Sequence, residues 1–330
     1  MKARYPAAAG LVLVCLLPLA GCGSTTPAAG AAPASPPIVS TAEAADVLTA
    51  YDIGNNQVNS ATDPAGLATI ETDPLRSASE AELKVKKLLN QPIPLITSMD
   101  PRFLIPSGGD GPRWFVSTST RLRGGVVTKN QTYTVFRQQD KDSPWLATYS
   151  LTPSDSVSVP TVAGNSASAA TAVTDFGDLA LPPGELAQRI FAHYSEELAG
   201  KDAFGKSAVL DDQLGNGYKV ALQVLRTRGS VLVRTPSPND SQPLALRTAD
   251  GGALVFSTST VVDVLEPLQR GRVSLTAGSN EAALFGETDG AVAPKFTITR
   301  QQNFLTYIPT KASHEPVSVL AYTDFPISVG

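Results

Sequence analysis

An internal match between two stretches of the chain, 140 positions apart, most constrains its fold. DGPRWFVSTST at 110–120 and DGGALVFSTST at 250–260 are identical at six of eleven positions. Three further pairs occur in the same order along the chain: VLTAY and IFAHY, YTVFRQQ and FTITRQQ, and WLATYS and VLAYTD. A period this long is outside the range of solenoid repeats. The sequence therefore predicts the duplication of a whole domain.

Each copy places helical patterns before strand patterns. In the first copy, Ser40 and Glu43 form a capping box at the start of a helix, and a second helix is predicted over 77–90. Helices are predicted in the second copy from Pro182 and near 206–213. Apolar, β-branched runs bounded by turn residues predict strands at 102–106, 113–122, 131–139, 145–151, 218–226, 230–235, 243–248, 253–264, 295–303, 305–308 and 317–324. Helices followed by antiparallel strands, twice over, predict an α+β fold.

The composition between the copies predicts the domain boundaries. Residues 161–175 are rich in alanine, serine and threonine without periodicity, which favours a linker. The first domain is then 40–160 and the second 176–330. The STST and RQQ segments lie farther apart in the second copy, so this copy carries an insertion near 263–294.

The N-terminus is typical of an export signal. Lys2 and Arg4 precede an apolar run over 7–17 that is too short to span a bilayer, and LAGC ends at Cys22. This pattern looks like a bacterial lipoprotein signal over 1–21, after which Cys22 would carry a diacylglyceryl group with fatty acids such as palmitate. An ordinary secretory signal is the alternative. The charge-free, Pro- and Ala-rich segment 22–39 predicts a tether to the membrane.

Charge and cysteine content exclude several classes of protein. Removal of residues 1–21 would leave 24 basic residues against 30 acidic ones, a net charge of −6, which argues against nucleic-acid binding. Of two cysteines, Cys15 lies in the predicted signal, so the mature chain could form no internal disulfide. No later segment is long and apolar enough to cross a membrane, and we expect membrane attachment through the lipid alone, on the extracytoplasmic face.

Two helices wrapped by a curved antiparallel sheet resemble the nuclear-transport-factor-2-like, or cystatin-like, cone. With its LAGC motif, low-complexity tether and duplicated domain, the chain also resembles actinobacterial lipoproteins of uncharacterised function. The resemblance covers about 40–150 and 180–325, and it implies two cone-like domains. Because cone folds serve enzymes and pure binding modules alike, it implies no particular activity.

No residue pattern indicates catalysis, a metal or a cofactor. His193 is expected on the solvent face of its helix and His314 in a turn, and no GxSxG, SxxK or phosphate-binding motif occurs. Two distant histidines and no free cysteine argue against a zinc site. The STST strands and the repeated arginines, Arg137 and Arg300, are interpreted as parts of the sheets rather than of a site.

Two hypotheses follow. The first is a non-catalytic surface protein that binds an envelope protein or cell-wall component, or has a structural role. The alternative is a small-molecule binder or envelope enzyme, isomerase- or hydrolase-like, that uses a cone pocket in one domain. Interiors filled by Tyr51, Tyr194, Phe115 and Phe256 would favour the first. A sheltered cavity that holds a carboxylate with a tyrosine or an arginine would favour the alternative.

Overall fold

The first helix begins where the capping box predicts, because the Ser40 hydroxyl accepts a hydrogen bond from the Glu43 backbone N–H at 3.1 Å. The structure is a computed structural model that describes residues 36–107, 113–164, 169–195, 203–238 and 243–330. The predicted signal, Cys22, most of the tether and the GGDGP turn lie outside the described residues. Helices and several antiparallel β-sheets make the fold α+β, as predicted.

The first half of the chain contains the following elements: α1 Thr41–Ala61, a 3-10 helix Pro64–Thr69, α2 Leu75–Leu88, β1 Ile96–Pro106, β2 Arg113–Arg123, β3 Val126–Val127, β4 Thr132–Gln138, β5 Leu146–Leu151 and β6 Ala169–Ala170. Gly124 and Gly125 have φ values of 56° and 86°, which glycine tolerates, and they make the turn between β2 and β3. The predicted helices and strands of this half are all present, with boundaries that differ by a few residues.

The second half contains these elements: a 3-10 helix Pro183–Glu185, α3 Leu186–Tyr194, a π-helical segment Ala208–Gly215, α4 Asn216–Thr227, β7 Ser230–Pro238, β8 Leu244–Arg247, β9 Ala253–Pro267, β10 Val273–Leu275, α5 Asn280–Phe285, β11 Ala291–Ala293, β12 Phe296–Ile308 and β13 Ser318–Val329. The two strands predicted at 295–303 and 305–308 are one continuous strand. The predicted insertion forms β10, α5 and β11.

The strand predicted at 218–226 is wrong, because these residues lie in helix α4. Tyr218, Ala221 and Leu225 are spaced three and four residues apart, so they share one helical face, and all three line a cavity. The segment also alternates between polar and apolar residues, which suggested a strand. Strand β7 already occupies the edge of β9 that a strand at 218–226 would need.

Two main sheets organise the structure. The first has the order β5-β4-β2-β1-β6, with β3 beside β2, and all of its pairs are antiparallel except β1–β6. The second has the order β13-β12-β9-β7, and β8 pairs with the same edge of β9 as β7 does. Strand β7 therefore lies at an edge of this sheet, and it contains Pro236 and Pro238.

The two sheets pack back to back between outer helices. On β2, Phe115 packs with α1, whereas its neighbours Trp114 and Val116 pack with Leu254 and Phe256 of β9. On β9 the opposite face, including Val255, packs against α3. Successive side chains of a strand point to opposite faces, so each of these strands is buried on both sides.

The backbone register shows one matching irregularity in the two sheets. A bulge falls between Val135 and Phe136 where β4 pairs with β5, and between Leu305 and Thr306 where β12 pairs with β13. Val135 lies opposite Val116, and Leu305 lies opposite Phe256. Val116 and Phe256 occupy the same position in the two repeated stretches, so the two bulges occur at equivalent places.

The RQQ match does not follow this register. Arg137 lies opposite Trp114 at the start of β2, whereas Arg300 lies opposite Val261, beyond the STST residues of β9. The two arginines therefore occupy different positions of their sheets.

The segment predicted as a linker contacts strands of both halves. Within 161–175, β6 pairs with β1 of the first sheet, while the Ala163 and Val173 N–H groups each donate a 2.8 Å hydrogen bond to a backbone carbonyl of β8. The division into two domains stays a prediction. The described residues of Ser35–Gly330 form one compact unit in which the core between the sheets is shared.

Candidate functional site

A cavity of about 500 Å³ lies between the helices of the first half and the first sheet. Helices α1 and α2 supply one wall, and β2, β4 and β5 supply another. Strands β12 and β13 of the second half complete the lining with Asn303 and Tyr322 to Phe325. The cavity is therefore built by elements from both halves of the chain.

The polar centre of this cavity is the pair Tyr51 and Glu71. The Tyr51 hydroxyl, on α1, donates a 2.9 Å hydrogen bond to Glu71 Oε1. Glu71 is only 1% exposed, and its Oε2 atom has no hydrogen-bond partner. Its backbone is fixed, because residues 70–72 pair with Ala147 at the start of β5.

Burial changes the acidity of both groups. Desolvation raises the pKa of Glu71 to about 7, although the nearby Ser79 and Tyr51 hydroxyls and the Arg121 charge oppose this rise. The pKa of Tyr51 is also raised, first by burial and then by the Glu71 charge. At neutral pH the Glu71 carboxyl is therefore close to its midpoint of ionisation.

Two further buried polar atoms at this cavity lack partners. Arg121, on β2, donates from one terminal nitrogen to Thr134 Oγ1 at 2.8 Å, but its Nε–H has no acceptor. Asn303 Oδ1, on β12, has no donor. Together with Glu71 Oε2, these atoms are what we call the Glu71 cluster. Unpartnered buried polar groups are rare in folded proteins, which makes three around one cavity notable.

A second cavity of about 500 Å³ lies in the second half, between α4, the inserted elements and the second sheet. Arg234 donates two 2.6 Å hydrogen bonds to Asp263, and both side chains are almost buried, at 8% and 4% exposure. Arg300 contacts Asp324 at 2.7 Å and Glu281 at 2.9 Å. Burial alone would lower the pKa of Arg234, but hydrogen bonds from Arg234 to Asp263 and the Asp263 charge raise it.

Some residues discussed from sequence lie elsewhere than expected. His193 does not face solvent: its side chain is 15% exposed, with Nε2 2.7 Å from Asp211 Oδ1. His314 lies in a turn, with φ 57°. Arg137 is exposed as expected, whereas Arg300 is largely buried in its ion pairs. Neither histidine lines the Glu71 cavity.

Both criteria set out from the sequence are met at once. The aromatic residues named as core fillers are buried: Tyr51, Tyr194, Phe115 and Phe256. A sheltered cavity that holds a carboxylate with a tyrosine and an arginine is also present. Neither Glu71 nor Arg121 was identified as a site residue from the sequence. A buried carboxylate could have been suspected in TIETDP, because Glu71 follows the apolar Ile70 in a segment predicted to cover a sheet.

Comparison with known proteins identifies a family but no activity. Residues 35–328 match DUF8094, a domain of unknown function. The chain belongs to this family. DUF8094 thus covers nearly all the described residues, including both cavities.

Three relatives cover most of the chain. An uncharacterised lipoprotein of Streptomyces coelicolor is 27% identical over 296 residues, 86% of this chain and 83% of that protein. One of Streptomyces avermitilis is 25% identical over 301 residues, with 89% and 86% covered. A second from Streptomyces coelicolor is 24% identical over 309 residues, with 90% and 84% covered. No solved structure matches the chain at a significant level.

These names agree with the predicted lipoprotein signal. Within the part of the chain that the structure describes, no helix is long and apolar enough to cross a membrane. The comparisons therefore support a lipoprotein of the DUF8094 family, with its biochemical role open.

Proposed function

We propose that this DUF8094 protein is a lipid-anchored, extracytoplasmic binding protein that holds a small polar molecule in the Glu71 cavity without transforming it. The single observation that carries the proposal is the Glu71 cluster. Leaving a buried donor or acceptor without a partner costs about 1–3 kcal/mol for each group. A ligand that supplies the missing hydrogen bonds would recover much of that cost, which is a strong driving force for binding.

The anchor places this cavity at the cell surface. Cys22 is the proposed lipid attachment point, and the tether would let the folded part face the envelope. The matching bulges support a duplication of one cone-like domain. Among the described residues, the arginines of the second cavity are ion-paired, whereas the Glu71 cavity, which both halves build, holds unsatisfied polar atoms. An envelope component, such as a cell-wall precursor or fragment, is a suitable source of polar ligand.

An envelope enzyme is the second candidate, and one observation favours it. A carboxyl with a pKa of about 7 that accepts a hydrogen bond from a tyrosine can take and return a proton near neutral pH. We place it second because neither histidine lines the Glu71 cavity, so Glu71 would have to act without the commonest general acid–base residue beside it.

A cavity-filling variant tests the proposal. Ala78 lines the cavity on α2, so Ala78→Phe should block it; Ala50→Phe, on the exposed face of α1, is the matched control. The purified protein is mixed with a small-molecule extract of the cells that produce it, and retained compounds are measured by mass spectrometry after dialysis. We expect a compound that the wild type and Ala50→Phe retain unchanged and that Ala78→Phe loses.

Two outcomes would count against binding without catalysis. If the wild type and folded Ala78→Phe retain the same compounds, the cavity is not the binding site. If the wild type consumes a compound of the extract and Glu71→Gln does not, the enzyme hypothesis replaces the proposal.

A further inference from the structure

We propose that the Glu71 cavity recognises a hydroxylated organic anion, whose carboxylate or phosphate group lies against Arg121. This inference rests on the proposed binding function and specifies the chemistry of its ligand. Three features carry it: the absence of an anionic partner for Arg121, the pairing of the other charges around the cavity, and the mixture of hydrogen-bonding groups on its walls.

The two cavities differ in how their arginines are neutralised. In the second cavity, Arg234 is paired with Asp263, and Arg300 is paired with both Asp324 and Glu281. Among the described residues, Arg121 of the first cavity has no carboxylate within ion-pair distance and donates only to a threonine hydroxyl. A half-buried guanidinium with one neutral partner is an incomplete site for a carboxylate or a phosphate.

The remaining charges at the cavity do not compensate Arg121. Glu82 pairs with Lys86 at 3.0 Å, so these two cancel. Asp324 accepts hydrogen bonds from Arg300 and from Gln302. Arg123 lies farther along β2 at the mouth and has no ion pair among the described residues. The charges of Arg121 and Arg123 therefore have no ion-pair partner among the described residues, and burial favours the neutral form of Glu71, the remaining carboxyl of the cavity.

The neutral form of Glu71 suits an anionic ligand. A protonated carboxyl whose Oε1 accepts from Tyr51 can donate from Oε2, the atom without a partner, to an oxygen of the ligand. Asn303 Oδ1 offers an acceptor for a ligand hydroxyl. Further hydroxyl and amide side chains line the walls: Asn55, Ser79, Thr128, Thr132, Ser150 and Thr152. A ligand with both an anionic group and hydroxyl groups would pair with the unsatisfied atoms of the Glu71 cluster.

Four sugars with the same ring and different charge test the inference. Glucuronate and glucose 6-phosphate carry a carboxylate and a phosphate, glucose is neutral, and glucosamine is a cation. Each is titrated into the folded mature protein by isothermal titration calorimetry. We expect at least one of the anions to bind roughly ten-fold or more tightly than glucose, because hydrogen bonds to charged groups contribute more than neutral ones. Tighter binding of glucuronate would indicate a carboxylate ligand, and tighter binding of glucose 6-phosphate would indicate a phosphate ligand.

Arg121→Gln should reduce anion binding to the level of glucose. Arg137→Gln, an exposed arginine of the same sheet that does not line the cavity, should bind the anions as the wild type does. The comparison among the four sugars uses only the wild type, so it remains decisive if Arg121→Gln does not fold.

Binding of glucose or glucosamine at least as tightly as the anions overturns the inference and leaves the proposed function standing. Anion binding that Arg121→Gln retains in a folded state also overturns it. If no sugar binds, the inference fails, and the extract experiment decides separately whether the cavity binds another molecule.

Discussion

Replacing Glu71 by glutamine should remove a pH-dependent loss of stability. Glutamine keeps the size of the side chain and an oxygen that can accept from Tyr51, but it cannot ionise. The pKa of Glu71 rises from 4.5 to about 7 on folding, so the folded state holds this proton more tightly than the unfolded state does. The stability that this proton contributes is complete below about pH 4.5 and is lost as the pH rises through 7.

The magnitude follows from the shift. About 2.5 pKa units at about 1.36 kcal/mol each give roughly 3 kcal/mol, and the 1% exposure of Glu71 means that solvent screens little of this. Urea unfolding of the wild type and Glu71→Gln, at several values from pH 4.5 to 8.5, measures it. Relative to the wild type, Glu71→Gln should gain about 3 kcal/mol across that range.

An exposed carboxylate provides the control. Glu266, on the surface of β9, can be changed to glutamine, and the effect on the free energy of unfolding should stay within about 0.5 kcal/mol. If the stabilities of the wild type and Glu71→Gln change in parallel with pH, the buried carboxyl does not carry the raised pKa, and the reasoning about the cavity is refuted.

Three further predictions concern the anchor and the core. Cys22→Ser should release the protein from membranes or leave uncut precursor, as seen by cell fractionation; membrane retention of a processed form would contradict the lipid anchor. Asp263→Ala should cost about 3–5 kcal/mol in urea unfolding, because it leaves Arg234 buried without its partner. A loss below 1 kcal/mol would show that the pair is solvated. Phe256→Ala, at a fully buried position between the sheets, should cost about 3–5 kcal/mol in urea unfolding, because it leaves a cavity beside Tyr149 of the other sheet. An unchanged free energy of unfolding would argue against the shared core.

The sequence predicted local structure better than it predicted the site. The capping box at Ser40 and the long strands of the repeated stretches depend on neighbouring residues, and both are present. The Glu71 cluster depends on three distant segments, because Glu71 lies in a loop and Arg121 and Asn303 lie in strands of different sheets. A local sequence motif cannot identify residues that are far apart in the chain and come together only in the folded structure. The helix α4 was missed because its apolar residues fit a period of two as well as one of 3.6.

The sequence does contain a sign that the two sheets pack together, but the interpretation as two separate repeated domains overlooked it. WFV at 114–116 and ALVF at 253–256 are apolar without alternation, which is typical of strands covered on both faces. In an isolated cone-like domain, such a strand would need an apolar face on one side only. The second buried face is the one through which the two halves contact each other. This contact explains why both odd and even positions of these strands carry large apolar side chains in the two copies.

The prolines of β7 have a consequence for crowding on the membrane. An acylated protein diffuses in two dimensions, where copies meet often and in similar orientations. An open strand edge would then be a template on which neighbouring copies could add strands and polymerise. Pro236 and Pro238 have no backbone N–H, so β7 offers fewer hydrogen-bond donors to an added strand. The edge strand thus favours a lipoprotein that stays dispersed at high surface density.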